Sequence, residues 1–96
     1  MRLDGKVAIV TASTRGIGLA CTQRLAREGA TVYMAARNME RAENRAKELN
    51  DEGCNVKTVY NDATEKETYT SMVEEVFKNE GRIDILVNNF GTSNPQ

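Results

Sequence analysis

Four short segments rich in apolar and β-branched residues, separated by longer stretches of helical pattern, constrain the fold of this chain more than any other feature. The first run, VAIV at residues 7–10, is unbroken and β-branched, which is typical of a strand buried on both faces. Runs at 31–35, 56–60 and 83–87 predict three more strands. Because helical stretches separate them, consecutive strands are joined by right-handed crossovers and lie parallel in one sheet. The sequence therefore predicts an α/β fold with the order β-α-β-α-β-α-β.

Each helical stretch ends at a glycine, which suits the left-handed backbone conformation found at helix ends. These glycines are Gly29, Gly53 and Gly81. The first two helices also carry apolar stripes: Ile17, Cys21 and Leu25 in the first, and Ala42, Ala46 and Leu49 in the second, which Asn38 is placed to cap.

The third helix has the clearest pattern. Thr64 and Glu67 have the spacing of a capping box, in which each side chain bonds the backbone N–H of the other residue. Five apolar residues follow at helical spacing and are predicted to lie in the core: Tyr69, Met72, Val73, Val76 and Phe77.

Composition excludes several classes of function. The 96 residues include 13 basic and 14 acidic ones, and this balance offers neither a basic patch for nucleic acid nor a polybasic arm for a membrane. The absence of histidine excludes a Ser-His-Asp triad or a histidine metal site within this chain. Cys21 and Cys54 fit no metal or redox spacing and are interpreted as buried structural thiols. The N-terminal apolar run is too short for a signal peptide or a membrane span, so we expect a cytoplasmic protein.

The segment TASTRGIG, residues 11–18, joins the first strand to the first helix. Backbone N–H groups and the helix dipole at such a junction favour a phosphate group. Gly16 and Gly18 stand where a side chain would block the approach of the backbone or the packing of helix on strand. Ala12 stands where a further glycine is common, and its methyl group is tolerable if the backbone there has a negative φ. The context favours dinucleotide binding on a Rossmann-type sheet over a purely structural turn.

The end of the second strand indicates which dinucleotide. An acidic residue about 20 positions after the loop usually holds a free ribose 2′-hydroxyl. The stretch AARN at 35–38 contains no carboxylate, whereas Arg37 lies in it and Arg15 lies in the loop. Two guanidinium groups pair well with a 2′-phosphate, so we predict NADP(H) rather than NAD(H). The alternative is that both arginines are ordinary surface charges.

Three motifs, in this order and spacing, resemble those of short-chain dehydrogenases. TASTRGIG is similar to the signature T-G-x-x-x-G-x-G, with Ala12 replacing the first glycine. The segment NDA at 61–63 resembles the family's adenine-contacting segment, and LVNNFG at 86–91 resembles its N-N-A-G motif, with Phe90 in place of alanine. The narrower likeness is carried by four stretches: TASTRGIG, VYMAARN, TYTSMVEE and GRIDILVNNFGTSNP. Together they resemble bacterial 7-alpha-hydroxysteroid dehydrogenases, which implies a bile-acid hydroxyl as substrate and NADP as hydride acceptor.

The resemblance implies a role for each matching residue. Those assigned to the pyrophosphate and the adenosine ribose are Ala12, Ser13, Thr14, Arg15, Gly16 and Ile17, and Gly18 belongs to the same cofactor site. Arg37 and Asn38 would hold the 2′-phosphate. Asp62 would accept a hydrogen bond from the adenine amino group, with Ala63 beside the ring, and Asn89 would line the path to the nicotinamide ribose. For Asp62 the alternative is a turn-forming aspartate before the third helix.

The family's catalytic group is missing from these residues. The family uses a tyrosine and a lysine spaced Y-x-x-x-K on one helix face, with a serine on an earlier strand. Four positions after the three tyrosines stand Arg37, Thr64 and Val73 rather than lysine. We therefore predict no catalytic residue among these 96 and no activity of the chain alone.

The fourth strand would lie at the sheet edge with an unpaired backbone, which is an aggregation hazard. For this reason we interpret residues 1–96 as the incomplete, N-terminal dinucleotide-binding part of a dehydrogenase domain. The resemblance implies that the complete protein is a homo-oligomer, a tetramer. Two alternatives stay open: a nucleotide-binding module without catalysis, and a short-chain reductase for another carbonyl or sugar substrate.

Overall fold

The computed structural model describes residues 2–12 and 16–88. In these residues, strands and helices alternate as predicted. The strands are β1 (Val7–Thr11), β2 (Thr31–Ala36), β3 (Asn55–Tyr60) and β4 (Ile85–Val87), and the helices are α1 (Gly16–Arg27), α2 (Met39–Asp51) and α3 (Lys66–Glu80). The three glycines predicted to follow the helices have positive φ, which confirms their role: 104° at Gly29, 98° at Gly53 and 77° at Gly81.

The four strands form one parallel sheet in the spatial order β3-β2-β1-β4. Ile9 of β1 lies opposite both Tyr33 of β2 and Leu86 of β4, and Tyr33 in turn lies opposite Lys57 of β3. The order reverses at β1, because the chain runs from β1 to β3 in one direction and then returns to add β4 on the other side. This is the predicted Rossmann-type arrangement, and it brings the carboxyl ends of all four strands to one edge.

Two core clusters lie on opposite faces of the sheet, because alternate residues of a strand point to opposite faces. On one face Ala8 packs with Ala26 of α1 and Leu49 of α2. On the other face Ile9 packs with Met72 of α3. The four residues of the unbroken apolar run at 7–10 are buried as predicted, and Thr11 at the end of β1 is buried as well.

The capping box predicted at the start of α3 is wrong. The helix begins at Lys66, and its N-cap Glu65 makes no side-chain cap bond. The Thr64 hydroxyl instead donates to Asp62 Oδ1 at 2.7 Å. Because the Thr64 hydroxyl is bonded to Asp62, it does not cap the helix, and α3 begins two residues later, at Lys66.

The predicted apolar stripe of α3 is right at its centre and wrong at its end. Met72 and Val76 are fully buried, and Tyr69 and Val73 are half-buried against the same cluster. Phe77, predicted to be core, is 57% exposed. It lies about 100° around the helix from Val76, beyond the face that contacts the sheet.

The fully buried face of α1 lies one position from the predicted stripe, although Cys21 and Leu25 of that stripe are half-buried against the core. Gly18, Thr22 and Ala26 are its buried residues, whereas Ile17 is 74% exposed. The buried Thr22 hydroxyl donates to the Gly18 carbonyl at 2.9 Å, which satisfies it inside the helix. Small residues allow α1 to approach the sheet closely, and an apolar pattern does not reveal them.

The two cysteines are free thiols, and they are half-buried rather than buried as predicted. Both pack at the margin of the cluster that contains Ala8. Burial raises the pKa of the Cys54 thiol, so this side chain stays uncharged at neutral pH.

A reciprocal pair of hydrogen bonds fixes β4 beside β1. The Asp84 backbone N–H donates to the Val7 carbonyl, and the Val7 N–H donates to Asp84 Oδ2, both at 2.8 Å. The Arg82 guanidinium donates to both carboxylate oxygens, at 2.9 and 2.8 Å. The Arg82 bonds, followed by the Val7 N–H, lower the pKa of Asp84 to about 2. β4 begins at Ile85 rather than at the predicted residue 83 because the Asp84 side chain replaces one position of the strand ladder.

Candidate cofactor-binding site

The predicted site residues that the structure describes gather at the carboxyl edge of the sheet. Thr11 at the end of β1 lies opposite Ala35, and Ala36 at the end of β2 lies opposite Tyr60. The Asn61 N–H donates to the Ala36 carbonyl at 3.0 Å, so β3 stays in register up to the residue before Asp62. The ends of β1, β2 and β3 therefore present their loops side by side, where ligands bind in open parallel sheets.

The backbone at Ala12 has a φ of 49°, so the condition under which its methyl group would be free of strain is not met. It is the single non-glycine residue with positive φ among the described residues. This left-handed conformation places Cβ too close to the following carbonyl, which explains why a glycine is common at the position. Ala12 keeps the backbone shape of a glycine loop and carries the strain of an L-residue.

Gly16 also has a positive φ, 63°, and, apart from its chain neighbours and its own helix backbone, no atom of the described residues lies within 4 Å of an added Cβ. The reason for glycine there is backbone conformation, rather than the crowding that the sequence suggested. Ile17 follows in the first turn of α1 and projects into solvent, and Gly18 is buried. Ser13, Thr14 and Arg15 lie outside the described residues, as does Asn89.

We predict that Ala12→Gly stabilises the protein by about 1 kcal/mol, because glycine relieves the strain at positive φ. The greater conformational freedom of glycine in the unfolded chain offsets part of this stabilisation. Urea denaturation followed by circular dichroism would measure it. Ala63→Gly is the matched control, since exposed Ala63 has no positive φ and should lose a few tenths of a kcal/mol instead. An Ala12→Gly variant no more stable than the parent would contradict the strain at this position.

Arg37 and Asn38 follow β2 and are both exposed. Asn38 is the N-cap of α2, and its Oδ1 accepts from the Arg41 N–H at 3.0 Å, which confirms its predicted capping role. With Oδ1 engaged, the side-chain NH₂ is the group of Asn38 that can donate to an anion. The guanidinium of Arg37 is permanently charged and carries five N–H donors.

Asp62 forms the turn that the sequence left as an alternative. Its Oδ1 accepts from both the Thr64 N–H at 2.9 Å and the Thr64 hydroxyl at 2.7 Å. The bond from the Thr64 hydroxyl lowers the pKa of Asp62 most, and the bond from the Thr64 N–H and the charge of Arg37 lower it further. The carboxylate is therefore ionised at neutral pH, and the charge of Arg37 after β2 acts on Asp62 after β3. Exposed Ala63 lies directly after it.

Tyr33 is the one described tyrosine with a lysine close to its ring, and it has a structural role. Its hydroxyl donates to Glu80 Oε2 at 2.7 Å, and Lys57 Nζ lies 5.8 Å from the ring centroid and donates to the same carboxylate oxygen. Burial, followed by the bond to Glu80, raises the pKa of Tyr33, whereas a catalytic phenol needs a lower one. The cluster joins the end of α3 to β2 and β3.

Some kinds of site are absent from the described part of the chain. Across residues 2–12 and 16–88, no three Cys, Asp or Glu side chains are grouped to hold a metal ion. None of the helices in these ranges combines the length and the apolar character needed to cross a bilayer.

Comparison with known proteins settles the family. The family model for short chain dehydrogenases matches residues 6–96. This chain belongs to the short-chain dehydrogenase family. The resemblance that the three motifs indicated is thereby confirmed, and this short-chain dehydrogenase chain matches its family over nearly its whole length.

Relatives also bear out the narrower likeness to hydroxysteroid dehydrogenases. A 7alpha-hydroxysteroid dehydrogenase of Clostridium sardiniense is 59% identical over 93 residues, covering 97% of this chain and 36% of that protein. A hydroxysteroid dehydrogenase structure from Escherichia coli gives a TM-score of 0.92 at 32% identity, covering 99% of this chain and 40% of that one. The L-sorbose reductase of Gluconobacter frateurii, solved with NADPH and L-sorbose, gives 0.89 at 38% identity, covering 100% and 38%. This short-chain dehydrogenase chain thus spans little more than a third of the length of these relatives.

Proposed function

We propose that this chain supplies the adenosine-phosphate half of an NADP site in an oxidoreductase that interconverts a secondary alcohol and a ketone, with a 7α-hydroxy bile acid as the substrate. The observation that carries the proposal is the 59% identity to a 7alpha-hydroxysteroid dehydrogenase over 93 residues. When bound, a nicotinamide dinucleotide supplies the acceptor or donor of the hydride.

The preference for NADP is supported by charge at the end of β2. An exposed Arg37 stands where a carboxylate would hold a free 2′-hydroxyl, and the Asn38 amide beside it can donate as well. A dianionic phosphate gains from both groups, whereas a hydroxyl has no use for the guanidinium charge. In this proposal Ala12, Gly16 and Ile17 form the described part of the pyrophosphate loop, and Asp62 receives the adenine amino group.

The proposed preference for NADP can be tested by measuring how tightly ligands bind to this chain. Isothermal titration would compare 2′-phospho-ADP-ribose with ADP-ribose, which differ only in the phosphate. We expect the phosphorylated ligand to bind at least tenfold more tightly, since charge-assisted hydrogen bonds are worth about 1.5–3 kcal/mol. Equal affinities for the two ligands would contradict the proposed preference for NADP. If neither ligand bound, the proposal of a nucleotide site would be wrong.

The substrate has to be tested on the protein purified from its natural source. The intact mass of that protein would be measured first. If the mass equals that of this chain, the proposed inactivity of the 96 residues applies to the natural protein. Turnover of a 7α-hydroxy bile acid would then be compared with its 7β epimer and with L-sorbose. The L-sorbose reductase likeness makes a sugar the second candidate, and turnover of the sugar alone would favour it. A homotetramer and a cytoplasmic location remain predictions.

A further inference from the structure

We propose that Thr68 is a positioning residue that holds Asp62 for recognition of the adenine amino group; this rests on the proposed nucleotide site. Asp62 lies in the loop of residues 61–65 between β3 and α3, which is here called the adenine loop. Thr68 lies outside this loop, in the first turn of α3.

The Thr68 hydroxyl bonds both backbone groups of Asp62. Thr68 Oγ1 accepts from the Asp62 N–H at 2.9 Å and lies 2.9 Å from the Asp62 carbonyl, to which it can donate. It also lies 2.8 Å from the Glu65 carbonyl, which shares the hydroxyl proton, and 3.5 Å from Asn61 Nδ2. One half-buried hydroxyl therefore contacts three of the five residues of the adenine loop.

The adenine loop depends on this hydroxyl because its other attachments are short-range or lie at its start. Asn61 is fixed to β2 through the Ala36 carbonyl, and the Asp62 carboxylate bonds only Thr64 among its described partners. Glu65, at the junction with α3, contributes no side-chain cap. The bonds of Thr68 are thus the side-chain connection between the helix and the backbone of Asp62.

Such a connection matters because a single carboxylate oxygen has to meet a single amino group. The bonds from Thr64 both reach Oδ1, and no hydrogen bond from another described residue reaches Oδ2. An ionised carboxylate accepts from the 6-amino group of adenine, but repels the carbonyl oxygen that hypoxanthine carries at that position. Discrimination between these two bases therefore reports the placement of Asp62, and a general loss of stability does not change it.

The experiment measures the affinities of NADP and of nicotinamide hypoxanthine dinucleotide phosphate for the chain by isothermal titration. We expect the parent to prefer NADP by about tenfold, as for a hydrogen bond to a charged group. Thr68→Val keeps the branched shape without the hydroxyl and should reduce this ratio to about twofold, mainly through weaker NADP binding. Thr68→Ser should restore it. Thr70→Val, at an exposed position on the same helix, is the matched control and should leave the ratio unchanged.

Several results would overturn the proposal. A Thr68→Val variant that keeps the parent's ratio would show that Asp62 is placed without Thr68, and an equal loss of affinity for both bases would show a merely structural role. If Thr68→Val does not fold, hydrogen exchange in the parent decides: a rapidly exchanging Asp62 amide contradicts the bond, and a protected one supports it. Failure of the proposed function is distinguishable, because it would appear in the parent as equal affinity for ligands with and without the 2′-phosphate.

Discussion

Arg37→Asp is expected to convert a chain that prefers 2′-phosphorylated ligands into one that prefers ADP-ribose. The substitution removes the guanidinium at the end of β2 and places a carboxylate where one usually accepts a bond from the ribose 2′-hydroxyl. A carboxylate also repels the 2′-phosphate. Because one favourable interaction with the phosphate is lost, a repulsion is added and a bond to the hydroxyl is gained, we expect the ratio of the two affinities to change by about 100-fold or more.

Isothermal titration with 2′-phospho-ADP-ribose and ADP-ribose would measure this ratio. Arg24→Asp is the matched control, since it makes the same change of charge at a side chain that is 81% exposed in the last turn of α1, away from the carboxyl edge. The Arg24→Asp control should change both affinities little. If its ligand preference were inverted as well, net charge rather than the position of the charge would select the ligand. An Arg37→Asp variant that retains the parent's preference would assign the 2′-phosphate to other residues.

Met72→Ala is expected to cost about 2–5 kcal/mol of the free energy of unfolding, through lost burial and a cavity between α3 and the sheet. Met72 is fully buried beside Ile9. Phe77→Ala, at the C-terminal end of the same predicted stripe, should cost less than about 1 kcal/mol, because more than half of that side chain is already in water. If both were core residues, the phenylalanine would be the more costly of the two to truncate.

Urea denaturation monitored by circular dichroism would give both values. The free energy of unfolding of a natural protein is roughly 5–15 kcal/mol in total, so Met72→Ala could leave much of the population unfolded near 37 °C. Equal losses at the two positions would contradict the packing of α3 described above, as would a larger loss for Phe77→Ala.

This pair of residues also shows how far the sequence predicts the fold. The strands and the glycines after the helices could be predicted because each depends on local chemistry: short segments rich in apolar and β-branched residues, and a left-handed residue at a helix end. Which member of an apolar stripe is buried depends on where the neighbouring elements lie. Phe77 fits the helical period but faces away from the sheet, whereas Thr22 is polar and buried because its hydroxyl bonds the Gly18 carbonyl.

The candidate site divides in the same way. The end of β2, with Arg37 and no carboxylate, could be identified by counting along the chain. The positive φ of Ala12 could not, because a sequence shows that a glycine is replaced but not whether the backbone changes with it. The role of Thr68 is equally invisible, since it depends on a loop and a helix that meet in space.

The position of β1 between β2 and β4 has a consequence for synthesis on the ribosome. Its first neighbour, β2, follows within one helix, but its second neighbour, β4, leaves the ribosome about 50 residues after β2, a delay of roughly 3–10 s at ordinary translation rates. During that interval one edge of β1 has no partner, and Val7 lacks the carboxylate of Asp84 that later receives its N–H. The strand that is buried along its whole length in the sheet therefore has one edge open to mispairing and to chaperones for seconds as the chain emerges.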